Sequence, residues 1–102
     1  MTSDKIFTQR REICNKKGLH ARASRKLVML AEQFDAEITL ENNGQSALAT
    51  SIMDLLMLGA HPGTIVTISA KGAQAREGLE AVTNLIDCGF EEDTDGAGSS
   101  SV

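Results

Sequence analysis

The residues with the clearest chemical potential are His20 and Arg22, within the run Gly18-Leu19-His20-Ala21-Arg22-Ala23-Ser24. A helix start leaves backbone N–H groups without intrahelical partners, and the aligned peptide dipoles favour an anion there. An imidazole at that boundary offers a ring nitrogen that is nucleophilic while neutral. A phosphoryl group held on it would meet the backbone N–H donors of Ala21 and Arg22, and the Arg22 guanidinium could add charge-assisted bonds. The N–P bond is labile, so a group placed there can move on, whereas a serine phosphoester would be a poorer relay. Phosphoryl transfer asks mainly for positioning and charge stabilisation. Taken alone, the run also fits a plain helix-boundary histidine followed by a solvated arginine. A Ser-His-Asp hydrolase would need a buried acid to orient the imidazole, and no spacing marks one.

An amphipathic helix is expected directly after His20. Ala23, Leu27, Leu30 and Phe34 recur at helical spacing beside Val28 and Ala31, opposite Arg22, Arg25, Lys26 and Glu32. Upstream, Ile6 to Cys14 reads as a strand of imperfect alternation, broken by Lys16-Lys17-Gly18. Ala36, Ile38 and Leu40 alternate with Glu37, Thr39 and Glu41, the pattern of a half-buried strand. Asn43-Gly44 accepts positive φ at both turn positions and predicts a tight hairpin with Gln45 to Ala49 returning.

Ser51-Ile52-Met53-Asp54 has the form of a capping box, opening a short helix to about Leu58 that Gly59 can end. His61-Pro62-Gly63 is a loop, and His61 reads as an incidental surface residue. Thr64 to Ala70 is a strand, and Ala75, Leu79, Val82 and Ile86 share one helical face. The order β-α-β-β-α-β-α predicts an α+β fold, with helices over one face of an antiparallel sheet. One domain is expected over 1–90, followed over 91–102 by an acidic, Gly/Ser-rich tail too polar to order itself.

Composition narrows the classes of function. With 102 residues and 41% apolar content the chain is one globular domain, and with three Phe and no Trp or Tyr its core must be aliphatic. Residues 1–34 carry eight Lys/Arg against three acids, and the rest carries two against eleven, so a basic front meets an acidic remainder within a net charge of −4. Such a front suits an anionic ligand or an acidic protein surface. Nucleic acid is disfavoured, because only Phe7 and Phe34 interleave the basic residues and no binding motif is present.

Cys14 and Cys88 are too few and too far apart for a disulfide framework or a zinc site, so buried free thiols in a reducing cytosol are expected. No metal or cofactor is implied. The segment MTSDKIFTQR lacks a hydrophobic signal core, and the apolar stretch Ile52 to Ala60 is interrupted and too short to span a bilayer. A cytoplasmic protein without membrane contact is the expectation.

Three features together resemble the HPr family, the histidine-containing phosphocarriers of the bacterial phosphoenolpyruvate-dependent phosphotransferase system. They are Gly18-Leu19-His20-Ala21-Arg22, the segment Thr50-Ser51-Ile52-Met53, and the order of elements, over about Phe7 to Phe90. The resemblance implies an open-faced β-sandwich of four antiparallel strands under three helices. It implies a monomer phosphorylated at His20 Nδ1 by enzyme I, with Arg22 as the active-site arginine, and delivery to an enzyme IIA-type acceptor. The carrier would be modified stoichiometrically rather than turn over a small molecule.

Ser51 matches the family's regulatory serine, the target of HPr kinase/phosphorylase. Ile52, Met53 and Leu56, with Arg25, match the partner-docking surface, while Leu55 and Leu58 are expected in the core. The chain departs from the family pattern at Ala23, where most members have Pro, at Ser24, where Ala is usual, and at Asp54, where Gly or Lys is frequent. Ala-Arg-Ala-Ser is more similar to the nitrogen-related branch, which regulates rather than feeds sugar transport. A mainly regulatory protein, whose phosphorylation state controls partner binding, is the alternative reading.

Overall fold

The alternating and helical patterns are realised in the computed structural model, which describes residues 5–91. Strand β1 (Ile6–Glu12) leads to helix α1 (Ala21–Ala31), then β2 (Glu37–Asn42), β3 (Gln45–Leu48), α2 (Ile52–Leu58), β4 (Ile65–Lys71) and α3 (Ala75–Asp87). A short 3-10 turn, Gly89–Glu91, follows. The four strands form one sheet in the order β1-β4-β2-β3, every pairing antiparallel. The expected α+β architecture, one sheet beneath three helices, is what the chain adopts. Among the described residues no helix is long and apolar enough to cross a membrane.

Period-two burial fixes which side of the sheet meets the helices. Ile38 and Leu40 of β2 and Val66, Ile68 and Ala70 of β4 are buried, whereas their neighbours Glu37, Glu41, Thr67 and Ser69 lie on the open side. The helices answer with Ala23, Leu27 and Val28 from α1, Leu55 and Leu58 from α2, and Leu79, Val82 and Ile86 from α3. Covering each large aliphatic side chain contributes about 2 kcal/mol. At the hairpin, Asn43 (φ 54°) and Gly44 (φ 81°) both take positive φ, as the dipeptide predicted, and set the pairing Asn42 to Gln45.

Several boundaries differ from the sequence expectation. Strand β1 ends at Glu12 rather than Cys14, and only Phe7 and Arg11 along it are half-buried. It is an edge strand, with α3 covering part of one face. Arg11 lies on that side because its Nε is 3.2 Å from Asp87 Oδ2, and Phe7 lies under Arg76, 5.4 Å from the ring centre. Helix α1 stops three residues before Phe34, whose ring is half-buried in the following turn.

The cysteines are exposed rather than buried. Cys14 lies beyond the strand, with its Sγ 3.4 Å from the Ile86 carbonyl oxygen, and Cys88 caps the end of α3. Both sit on the surface at element ends, away from the helix-facing positions that make the core. Phe90, in the closing turn, is fully covered. Residues 92–102, which hold most of the expected tail, lie outside the described residues, and Glu91 belongs to the closing turn.

Candidate functional site

His20 is the N-cap of α1, with extended backbone (φ −82°, ψ −177°), and its own carbonyl accepts the first helical bond, from Ser24 N at 2.8 Å. Its ring is half-buried. The Arg22 backbone N–H donates to His20 Nδ1 at 3.2 Å. A nitrogen that accepts a hydrogen bond carries no proton, so the neutral ring keeps its proton on Nε2 and Nδ1 holds the lone pair. That lone pair points at the helix N-terminus, where the N–H groups of Ala21 and Ala23 also lack intrahelical acceptors. The imidazole occupies the place where the helix would hold an anion, through the nitrogen that would bear one.

The charges of α1 run against its dipole. Helices ordinarily gather acids in the first turn and bases in the last, each contributing about 0.3–1 kcal/mol. Helix α1 has no acid in its first turn and no base in its last. It carries Arg22, Arg25 and Lys26 in its first half, with Glu32 at the C-cap. The basic groups therefore add to the positive end of the dipole instead of cancelling it. A doubly charged phosphoryl group on Nδ1 would be favoured by both.

The loop before His20 is held in place from three sides. Gly18 adopts φ +67°, and a Cβ there would press into the Ala60 carbonyl oxygen and come within 2.9 Å of His61 Cα. That close approach lets Leu19 N donate to Ala60 O at 2.9 Å. The buried Asn15 donates from Nδ2 to Gly18 O at 2.8 Å, and the buried Ser24 hydroxyl lies 3.4 Å from Leu19 O. Sequence reasoning missed Asn15 and Ser24 as braces. A polar residue ahead of Lys-Lys-Gly hinted at the first. Ser24, on the apolar face beside Ala23, gave no signal of its carbonyl partner, which only the folded loop brings near. The helix starts at Ala21 with Ala23 in place of proline.

Ser51 caps α2 as its sequence suggested: its Oγ accepts from Asp54 N at 3.2 Å, and Gly59 ends the helix in the left-handed region. The capping box is not reciprocal, however. Asp54 Oδ2 accepts from Leu48 N at 3.3 Å, and Ser51 N donates instead to Leu48 O at 3.0 Å. The carboxylate thus ties the helix to the end of β3, whose last amide needs a partner once the hairpin pairing stops.

Helix α2 packs on α1 and buries Leu55 and Leu58, as expected. Its other face is open: Ile52 and Leu56 are each 38% exposed, Met53 is 66% and Met57 is 75%. Met57 extends the expected patch, and Leu48 at the end of β3 is exposed as well. Arg25 is exposed on α1. Of the segment Thr50 to Met53, Ser51 is the cap of α2 and Ile52 and Met53 are its first two residues, on the helix that packs against α1. Among the described residues, no three His, Cys, Asp or Glu side chains gather to hold a metal.

This geometry has parallels in known proteins. The family model described as the PTS HPr component phosphorylation site matches residues 7–87. The phosphocarrier protein NPr of Shewanella violacea is 48% identical over 80 residues, covering 78% of this chain and 88% of that protein. The phosphocarrier protein HPr of Vibrio cholerae is 44% identical over 82 residues, covering 80% and 96%. A crystal structure of HPr-C-His from Thermoanaerobacter tengcongensis superposes with a TM-score of 0.81 at 36% identity, covering 84% of this chain and 97% of that one. A helix-capping histidine beneath a reversed charge pattern, in a sheet-and-helix frame shared with these proteins, places the chain in the HPr family of phosphotransferase-system phosphocarriers.

Proposed function

We propose that His20 Nδ1 is the atom that carries the phosphoryl group, taking it from phospho-enzyme I and yielding it to an enzyme IIA-type acceptor. The observation that carries this reading is the 3.2 Å hydrogen bond from Arg22 N to His20 Nδ1. It keeps the proton on Nε2 and the attacking lone pair on Nδ1. In the transfer, Nδ1 attacks phosphorus as the bond from phosphorus to the donor nitrogen breaks. The phosphoryl oxygens then turn toward the N–H groups of Ala21 and Arg22, with the Arg22 guanidinium as a further charge partner. Onward delivery is the same step in reverse toward a new acceptor.

Partners would dock on the exposed face of α2, through Ile52, Met53, Leu56 and Met57, with Arg25 supplying charge from α1. Flexible methionines suit a surface that receives more than one partner. Ser51, by its family position, is a second phosphorylation site for HPr kinase/phosphorylase, acting on docking rather than on chemistry. The protein works as a cytoplasmic monomer in this reading, modified once per molecule.

The test is mass spectrometry after incubation with phosphoenolpyruvate and enzyme I. One acid-labile phosphoryl group is expected on the wild type and none on His20→Ala; equal labelling of both would place the site elsewhere. A separate acid-stable label from ATP and the kinase, lost in Ser51→Ala, is expected for the regulatory site, and its absence would remove that role. A mainly regulatory protein of the nitrogen-related branch is the second reading. It is favoured by the 48% identity to an NPr and by Ala23-Ser24 after the active-site arginine.

A further inference from the structure

Beside the open face of α2 lies a depression of about 260 Å³ between that helix and β3, lined by Gln45, Ser46, Asp54, Met57 and Leu58. Asp54 is the one charged residue of that lining and is half-buried. Among the described residues no basic side chain forms an ion pair with it. Its Oδ2 accepts from Leu48 N at 3.3 Å, and its own N–H donates to Ser51 Oγ at 3.2 Å. These two bonds pin the carboxylate at the edge of β3 and leave Oδ1 for another donor.

The strand edge adds a second acceptor. β3 is the outer strand of the sheet, and Leu48 turns both its N–H and its carbonyl out of the ladder, to Asp54 Oδ2 and to Ser51 N. Backbone groups of an antiparallel pair alternate in direction, so Ser46, two residues back and opposite Glu41, turns its N–H and carbonyl outward as well. The 75% exposed Met57 and the buried Leu58 make an apolar wall beside these oxygens. A carboxylate and a carbonyl next to such a wall fit a basic side chain, whose head bonds the oxygens while its methylene stem lies along the wall. The depression is smaller than pockets that hold cofactor-sized ligands, about 300–1,000 Å³. Met57 belongs both to it and to the open face of α2, so a protein seated on that face passes over it.

We propose that this depression receives one lysine or arginine side chain of the phosphoryl donor protein that docks on α2, with Asp54 as its charge partner and the Ser46 carbonyl oxygen as its second acceptor. The proposal rests on the docking reading above and adds a sign to it. The partner meets cations on α1 and an acid beside β3, so its complementary surface carries both charges. Such a pattern fixes the register of docking and selects against a uniformly acidic surface.

The test is steady-state phosphoryl transfer from enzyme I to the full chain and to Asp54→Asn, which removes the charge and keeps an oxygen for Leu48 N. At about 0.05 M NaCl the variant is expected to show KM higher by about fivefold with kcat kept, and Asp54→Lys a larger rise. At about 0.5 M NaCl, where the screening length is a few ångströms, the Asp54→Asn difference should shrink to about twofold or less. A rise in KM that does not respond to salt marks a structural role and overturns the charge contact. An unchanged KM in Asp54→Asn overturns the proposal, and a lower KM in Asp54→Lys overturns it in favour of an acidic partner surface at this place. Met53→Glu, measured alongside, separates the two readings. If it alone raises KM, the α2 face stands and the basic anchor is refuted; if none of the three variants raises KM, both fall.

Discussion

At the scale of single residues, His20 is the proposed carrier and Arg22 its proposed charge partner. Arg22 stands at the positive end of the α1 dipole, where a cation is disfavoured by about 0.3–1 kcal/mol. Arg22→Ala should accept phosphoryl groups about tenfold more slowly, the worth of one charge-assisted hydrogen bond. A rapid-quench transfer assay would read the effect, and an unchanged rate would remove Arg22 from the proposed site. His20 and Arg22 were legible in the sequence because a nucleophile and a cation sit two residues apart at the onset of a helical pattern. The direction of the Nδ1 bond was not, because ring orientation depends on the N-cap backbone and on the amide of Arg22.

At the scale of elements, the loop 15–20 and the two helix starts decide whether the site exists. Gly18→Ala would need φ +67° from a residue with a Cβ and would drive that Cβ into the Ala60 carbonyl. A loss of about 2 kcal/mol or more is expected, with the loop displaced and phosphorylation slowed. Denaturant unfolding checks the first and the transfer assay the second. A Gly18→Ala protein as stable as the parent would contradict the close packing of the two loops. Ser51→Ala removes the acceptor for Asp54 N and should destabilise by about 1 kcal/mol, whereas Ser51→Asp keeps an acceptor and should lose far less. Equal stability of all three would show that the cap contributes nothing.

The hairpin and both ends of α2 could be read from the chain, because Asn43-Gly44, Ser51 and Gly59 are chosen for backbone conformations that few residues accept. Strand β1 was less clear. As an edge strand it has one side only partly covered, so its apolar alternation is diluted by Arg11, which answers Asp87 across the gap. The closing turn at Phe90 was invisible, since nothing in a phenylalanine announces a positive φ.

At the scale of the whole molecule, the sheet and the core hold two surfaces in fixed relation: the basic end of α1 and the apolar outer face of α2. Helix α2 buries Leu55 and Leu58 and leaves Met53 66% exposed, so Met53 contributes little to folding. Met53→Glu should leave the melting temperature within about 2 °C of wild type, as surface changes do. It should raise KM for enzyme I by about tenfold with kcat kept, the mark of lost binding rather than lost chemistry. Steady-state transfer kinetics would show it, and an unchanged KM would move docking off this face. The arrangement of layers was legible from the order of elements and their periods. The non-sequential strand order β1-β4-β2-β3 was not, because no local pattern says which strand lies between β1 and β2. The exposure of Cys14 and Cys88 was misread for a related reason, as both follow the end of an element and escape its burial pattern.

The central claim, that the lone pair of His20 Nδ1 waits at the amino end of α1, is tested most directly by long-range proton–nitrogen spectra of protein with labelled imidazoles, before and after treatment with phosphoenolpyruvate and enzyme I. The account predicts the Nε2-protonated tautomer for His20 in the free protein and phosphorus coupling to Nδ1 of the same ring in the phosphorylated one. Phosphorus coupled to Nε2, or to the His61 ring, would contradict it.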